Sequence, residues 1–422
     1  MHRKPLVVIL GGGFGGVRVA LDLARKRAAK IILIDPNDYH SVHSQYYELA
    51  TAFRAERKGE TQREERRAFH DMLRTATVPF EHIFAGLDVQ TIKSRAERVD
   101  PKKSAVILEG GRVIHYEWLV IAIGSQTNYF GIPHLEQNSL GLKSITEAMN
   151  VRDHVDELFL SSPKHKKINI VVGGGGFTGV ELACELVGYM KKLSHTHNHP
   201  MGNWNCIIVE AGPAVLGSTS AWVQKKVQKR IRKLGITLLL NSPIVDVWPN
   251  LMYIGKEKRA FPFDLLVWTA GVKGSCPIDI VEGTMLDKRN CIFPDLTLRV
   301  PMQESIFVLG DAATTLDPKT ANPVPMTAQK AIHEARYVSR ALRRLIKDKK
   351  THIVSYVPKS SSFIIPLGGK YAVVQTPYFR TAGFLPWALK YIVLLRYLRS
   401  ILPMRRALAL VGRELALFTK ND

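Results

Sequence analysis

Twice in this chain a run of apolar, largely β-branched residues breaks into a cluster of glycines and then resumes with helical periodicity. The first copy, LVVILGGGFGGVRVALDLA, starts at Leu6, and the second, INIVVGGGGFTGVELACEL, starts at Ile168. A buried strand, a glycine turn and a helix in that order form the unit that binds dinucleotides. The glycines let backbone N–H groups approach a pyrophosphate at the helix N-terminus, where the peptide dipoles favour negative charge. In the first copy the GxGxxG glycines are Gly11, Gly13 and Gly16, with Phe14 and Gly15 between them. In the second they are Gly174, Gly176 and Gly179, with Thr178 inside the turn. An acid follows each unit's next strand: Asp35 closes KIILID and Glu210 closes NCIIVE, in place to accept hydrogen bonds from a ribose. Glu210 also predicts NADH over NADPH, because a carboxylate at the adenosine ribose repels a 2′-phosphate; Lys225 and Lys226 would soften that preference. A purely structural glycine turn is the alternative at each loop. The duplication predicts an α/β chain with two Rossmann-like dinucleotide-binding domains.

With 422 residues there is room for two or three domains, and 46% hydrophobic with 23% charged residues is a globular balance. Lys and Arg number 59 against 37 acids, a formal charge of +22 that suits anionic lipid, nucleic acid or an acidic protein. No zinc-finger spacing, RNP-like aromatic string or Ser/Arg tract points to nucleic acid, so none is expected as a partner. Cys184, Cys206, Cys276 and Cys291 form no CxxC pair and no metal-ligand spacing. They are expected to be buried, reduced thiols of a cytosolic protein, with no metal bound. Basic residues precede the first apolar run, as in a signal peptide. Leu6 to Leu10 is too short for one and ends in glycines, so it is a first strand.

Periodicity and breakers place further elements along the chain. A charge-rich helix is expected near Lys58 to Leu73, strands around Phe80 to Ile92 and Ala105 to Glu109, and a buried strand from Trp118 into a glycine turn. A polar helix follows at Thr146 to Leu160, then a His-rich loop at His195 to His199 and a basic amphipathic helix, WVQKKVQKRIRKLG. Beyond GITLLLNSPIVDV and FDLLVWTAGV come IFVLGDAA, a helix from about Pro325 to Lys347, and two β-type runs, IVSYV and SFIIPLGGKYAVVQ.

IFVLGDAA is a strand ending in Gly310-Asp311, and there the sequence resembles the two-dinucleotide-binding-domain flavoprotein reductases. AIGSQTN, Ala122 to Asn128, resembles that superfamily's crossing between its domains. The resemblance implies non-covalent FAD on the N-terminal unit, with Asp311 at the ribityl–phosphate region and Gly124 at the crossing. It implies a discontinuous FAD-binding domain, 1–145 with 280–350, and an NADH-binding domain at 146–279 whose site includes Ala270 and Gly271. Asp311 as a helix N-cap is the structural alternative. Disulfide reductases carry two close cysteines on the helix after the first strand, and sulfide:quinone oxidoreductases carry cysteines at the flavin; this chain has neither. PMTAQKAIHEA, Pro325 to Ala335, with LVWTAGV and the C-terminal stretch, makes nearly the whole chain similar to type II NADH:quinone oxidoreductases. That family has an AQxxxQ helix start, with backbone at the flavin and side chains at the quinone. Ala328 and Gln329 match, and His333 stands where the family has its second Gln. The resemblance implies that Ala328 and Gln329 meet FAD, and that Gln329 and His333 meet the quinone. It also implies that Glu181, expected in the first turn of the second unit's helix, lies near the nicotinamide and the flavin ring. A surface His and a dipole-favoured carboxylate are the bland readings of His333 and Glu181.

Residues 351–422 are expected to form strands and amphipathic, membrane-anchoring helices. Lys390, Arg396 and Arg399 interrupt the apolar run after Gly383, which argues against a span. After Pro403, Met404, Leu408, Val411, Leu415 and Phe418 fall on one helical face, opposite Arg405, Arg406 and Arg413. With Trp387, Tyr391 and Tyr397 this pattern suits the plane of an anionic membrane; packing on the core or in a dimer is the alternative. The function expected is hydride transfer from NADH to FAD and electron delivery to a membrane quinone, without proton pumping. The expected setting is a peripheral homodimer on the cytoplasmic face of the cell membrane. A soluble NADH reductase serving a ferredoxin- or rubredoxin-like protein, and a flavin-bearing signalling protein, are the rival readings.

Overall fold

Val7, Val8 and Ile9, and in the second copy Ile170, Val171 and Val172, are wholly buried. Strands covered on both faces belong to parallel sheets flanked by other elements, and both runs take that role. The computed structural model describes residues 3–53, 72–275, 281, 284–359 and 362–418. In chain order its main helices are α1 (Phe14–Ala24), α2 (Tyr46–Leu49), α3 (Ile145–Ser161), α4 (Phe177–Thr196), α5 (Ala221–Lys233), α6 (Ala328–Lys347), α7 (Phe384–Ile401) and α8 (Met404–Phe418). The chain divides into two compact units, each assembled from separated segments.

The first unit takes Met1–Val42, Thr77–Gln126 and Val272–Ser361. Its five-stranded sheet has the order Ile306–Val308, Trp118–Ile121, Leu6–Leu10, Lys30–Asp35, Val89–Lys93, with every pair parallel. Leu10, Leu119, Ile121 and Val308 pack into one core with Val99, Val106 and Leu108 of an antiparallel ribbon at 96–115. Helices α1 and α6 pack on each other, and Gly15 of α1 leaves room for the Leu309 side chain, which a Cβ there would meet at 2.3 Å.

The second unit takes His43–Ala76, Thr127–Gly271 and Ser362–Asp422. Its parallel sheet has the order Thr237–Leu239, Trp204–Val209, Ile168–Gly173, Leu265–Trp268. Helix α3 starts at a capping box, in which the Ser144 hydroxyl accepts from the Glu147 N–H and Glu147 accepts from the Ser144 N–H. Val223, Val227 and Ile231 bury one stripe of α5 and leave Lys225, Lys229, Arg232 and Lys233 outward, while Arg230 donates to the Leu367 carbonyl at 2.9 Å. An antiparallel sheet, Phe363–Pro366, Ala372–Gln375 and Arg380–Gly383, leads into α7 and α8.

Both Rossmann-like units are thus present, and the differences from the expected pattern have local causes. Phe80–Ile83 is a helical turn rather than strand; strand begins at Val89. Phe80 is drawn to the first glycine loop, where its ring fills the space beside Gly12. IVSYV forms no strand: Val354 spends its carbonyl on the Tyr337 hydroxyl, and Tyr356 donates its N–H to Leu296. The helix expected from Pro325 begins at Ala328, because Thr327 is extended and its hydroxyl caps the Lys330 N–H at 3.2 Å. The charge-rich helix expected near Lys58 to Leu73 falls outside the described residues over 58–71. Cys184, Cys206 and Cys291 are buried free thiols; Cys276 is also outside.

Among the described residues no helix is long and apolar enough to cross a membrane. The C-terminal faces differ in detail from the helical-wheel expectation. Lys390 is turned inward, and α8 buries Ala407, Val411 and Glu414 while Met404 and Leu408 stay exposed. The outward arc of α7 carries Phe384, Leu385 and Ile392, each more than 60% exposed, together with Arg396 and Arg399.

Candidate functional site

Gly11 has φ +98°, and a Cβ there would stand 2.3 Å from the Ala122 carbonyl oxygen, so only glycine lets the loop leave its strand. Gly16 brings α1 down onto the carbonyl of Gly11. Gly13 is the N-cap of α1: it supplies no side-chain cap and faces open space. The first N–H groups of the helix therefore remain available to an anion. Asp35 fastens the loop from the next strand, accepting from the Gly12 N–H at 2.7 Å and the Asn37 N–H at 2.8 Å. Burial pushes the Asp35 carboxyl above its ordinary value, against the pull of those two donors. Its remaining lone pairs are the ones a ribose would use.

His40, which the sequence did not single out, completes this loop. Its Nδ1–H donates to the Gly12 carbonyl at 2.9 Å, and its ring meets Phe14 edge-on at 5.0 Å. Burial lowers its pKa to about 4, so the imidazole is neutral in the folded chain. Nothing local marks such a residue, because its partner lies 28 positions away.

Asp311 sits in a 3₁₀ turn, Gly310–Ala312, and accepts from the Ser125 hydroxyl at 2.7 Å. It is not the N-cap of α6; Thr327 is. The turn is braced from inside α6. Lys330 donates to the carbonyls of Gly310 at 2.6 Å and Ala313 at 2.9 Å, while Glu334 accepts from the Gly310 N–H at 2.7 Å and the Thr315 hydroxyl at 3.0 Å. The two side chains pair at 3.3 Å and are 2% and 0% exposed. Burial raises the Glu334 pKa, with Lys330 opposing. The four-residue spacing of Lys330 and Glu334 was the available signal, but on a helix it equally describes a surface pair. Ala328 opens α6, Gln329 is exposed, and Gln329 shares a small cleft with half-buried His333, Thr327 and Tyr356. Burial first, then Lys359 and Arg336, lower the His333 pKa. Gly124 turns at φ +76° and accepts the Ser275 N–H at 3.1 Å.

The second loop repeats the first. Gly174 has φ +109° and approaches Ala270, Gly179 rests on the Gly174 carbonyl, and Gly176 is an N-cap facing open space. Glu210 takes the place of Asp35, accepting from the Gly175 N–H at 2.6 Å and the Gly212 N–H at 2.7 Å. Thr178 is exposed in the first turn, and Gly271 lies against the Phe130 ring. Glu181 departs from expectation: α4 starts at Phe177, so Glu181 is its fifth residue and lies beyond the first turn. There it is half-buried, and burial raises its pKa to about 8, with Lys390 opposing and Glu48 and Glu185 adding to the rise. The same unit buries a charged cluster in which Lys390 of α7 pairs with Glu48 of α2, and with Glu414 of α8 at 3.8 Å. Burial disfavours the Lys390 ammonium, but Glu48, Tyr47 and Glu414 more than offset that and keep it protonated.

Each loop thus presents the N–H groups of a helix N-terminus, a fitted acid, and a glycine turn that a Cβ at Gly11 or Gly174 would block. Those are the donor set and shape that a dinucleotide pyrophosphate and its ribose require. The chain matches the pyridine nucleotide-disulphide oxidoreductase family over residues 5–335. A type II NADH:quinone oxidoreductase of Haemophilus influenzae is 28% identical over 386 residues, 84% of this chain and 84% of that protein. NDH2 from Plasmodium falciparum, solved in complex with NADH, superposes with TM-score 0.81 at 18% identity over 99% of both chains. The sulfide:quinone oxidoreductase of Aquifex aeolicus gives 0.74 at 18% identity, covering 99% of this chain and 92% of that one. At such identities the two structures speak for the fold, whereas the family match covers most of the sequence. This protein therefore belongs to the pyridine nucleotide-disulphide oxidoreductase family, as an FAD- and NAD-using oxidoreductase related to the type II NADH:quinone oxidoreductases.

Proposed function

We propose that this chain oxidises NADH through non-covalently held FAD and delivers the electrons to a membrane quinone, without pumping protons. The observation that carries the reading is the doubled loop, two glycine-capped helix N-termini each fastened by the acid that follows the next strand. In this reading 1–145 with 280–350 serve FAD, 146–279 serve NADH and 351–422 serve the membrane. Gly11, Gly13, Phe14, Gly15 and Gly16 cradle the FAD pyrophosphate, and Asp35 takes its ribose. Gly124, Asp311 and the start of α6 at Ala328 and Gln329 hold the remainder. Gly174, Gly176, Thr178 and Gly179 do the same for NADH, with Glu210 at the ribose and Ala270 and Gly271 along the cofactor. FAD, when bound, supplies the redox chemistry, taking a hydride and releasing two electrons.

The chain's own residues position the partners and handle protons. Glu181, raised to about 8, carries a proton on its carboxyl at neutral pH and presents an O–H to the nicotinamide. Gln329 and His333 orient the quinone carbonyls; His333, neutral because its pKa is lowered, donates through one ring nitrogen. The exposed apolar arc of α7, flanked by Arg396 and Arg399, rests at an anionic bilayer surface on the cytoplasmic face, in a homodimer.

A spectrum of the purified protein tests this. A flavin absorbance should bleach on anaerobic NADH and return on adding a short-chain quinone. A polypeptide without flavin, or a flavin that NADH leaves oxidised, overturns the proposal; recovery with rubredoxin but not quinone would move it to the soluble-reductase reading.

A further inference from the structure

Arg336, Arg340 and Arg344 follow one another on α6 at four-residue intervals, about 6 Å apart along the axis. Like charges at that spacing repel. Among the described residues no carboxylate pairs with any of the three, in contrast to Lys330 and Lys390, each of which has its acid. The same three guanidinium groups, with Lys359, line a cavity of about 440 Å³ beside the extended segment at 353–359. No residue lining that cavity is acidic.

The opposite wall is fixed and apolar. The Tyr337 hydroxyl donates to the Val354 carbonyl at 2.6 Å, and the Tyr356 N–H donates to Leu296 at 2.7 Å. The two tyrosine rings meet edge-on at 5.3 Å. Val354 and Val357, each 65% exposed, extend this wall into solvent. The volume lies within the range of about 300–1,000 Å³ usual for small-molecule sites.

We propose that this groove binds an anionic phosphate ester with an apolar body. The phosphate oxygens take the arginine row, whose planar forks match them bidentately, and the apolar part lies on the tyrosine and valine wall. His333 borders the near end of this groove, and Arg340 and Arg344 lie about two and about three turns beyond it, so the contacts tested below are separate from the quinone reading. Such a ligand has two sources, a soluble ester or the headgroup of an anionic lipid.

The experiment uses holoenzyme with NAD⁺ saturating the second loop. It compares wild type, Arg340→Ala/Arg344→Ala, and Lys229→Ala/Lys233→Ala as a charge-matched control at two exposed lysines of α5. The probes are inorganic pyrophosphate, farnesyl diphosphate, and phosphatidylcholine vesicles with and without phosphatidylglycerol. In the soluble case farnesyl diphosphate saturates at one per chain, binds at least about tenfold tighter than pyrophosphate, and weakens at least about tenfold in the arginine variant alone. In the lipid case farnesyl diphosphate does not saturate, but partition onto phosphatidylglycerol vesicles falls by that factor in the arginine variant alone. Equal losses in the control variant, or no difference between wild type and the arginine variant with every probe, overturn the proposal. NADH oxidation rates unchanged across the three proteins establish that all are folded.

Discussion

Glu210 uses one carboxylate to hold its own loop, and by the reading above the same group receives the ribose. Glu210→Ala leaves the Gly175 N–H without its 2.6 Å partner. An unpaired buried donor costs about 1–3 kcal/mol, so the KM for NADH should rise about tenfold or more. The preference for NADH over NADPH should shrink with it. Steady-state kinetics with both nucleotides measure each effect, and unchanged discrimination would separate the acid from cofactor choice. Glu181 gives a prediction on pH. Its folded pKa of about 8 lies above the ordinary 4.5, so the folded chain binds a proton that the unfolded chain has lost. Stability from this group is present below about pH 4.5 and declines as pH rises towards 8. Thermal melting from pH 5 to 8 should therefore fall less steeply in Glu181→Gln than in wild type. Parallel slopes would mean that the carboxyl does not titrate at a raised pKa in the folded chain.

Helix α6 illustrates how a helix can fix a turn that lies outside it. Its buried Lys330–Glu334 pair holds both the N–H and the carbonyl of Gly310, and thereby the placement of Asp311. Lys330→Met leaves Glu334 in the interior with its two hydrogen bonds but without its counter-charge, a loss of about 3–5 kcal/mol. Chemical denaturation should show that loss, and flavin retention should fall in the same variant. Replacing both residues with methionine should restore much of the stability without restoring the turn. A single variant as stable as wild type would show that the pair is dispensable. At this scale the sequence was uneven: the strand–loop–helix units and α5 followed from periodicity, whereas Phe80–Ile83 and IVSYV did not. Both exceptions formed their backbone contacts with distant groups, and periodicity measures only neighbours.

For the molecule as a whole, the proposed membrane attachment can be tested apart from the chemistry. Leu385 and Ile392 are 71% and 63% exposed on α7, so Leu385→Ser/Ile392→Ser should cost little folding stability. Sedimentation with phosphatidylglycerol vesicles should drop about tenfold in this variant, while NADH oxidation with a water-soluble quinone is unchanged. Equal sedimentation of the two proteins would remove α7 from the bilayer contact. The sequence by itself determined the two Rossmann-like units and the glycine turns. These depend on backbone freedom, capping and apolar alternation, all of which are written within a few consecutive residues. Only the tertiary structure decided which charges turn inward. Lys390 reads as a break in an apolar run until Glu48 and Glu414 arrive beside it from elsewhere in the chain. His40, Lys330 and Glu334 were hidden for the same reason: burial of a polar group depends on partners that only folding brings within hydrogen-bonding distance.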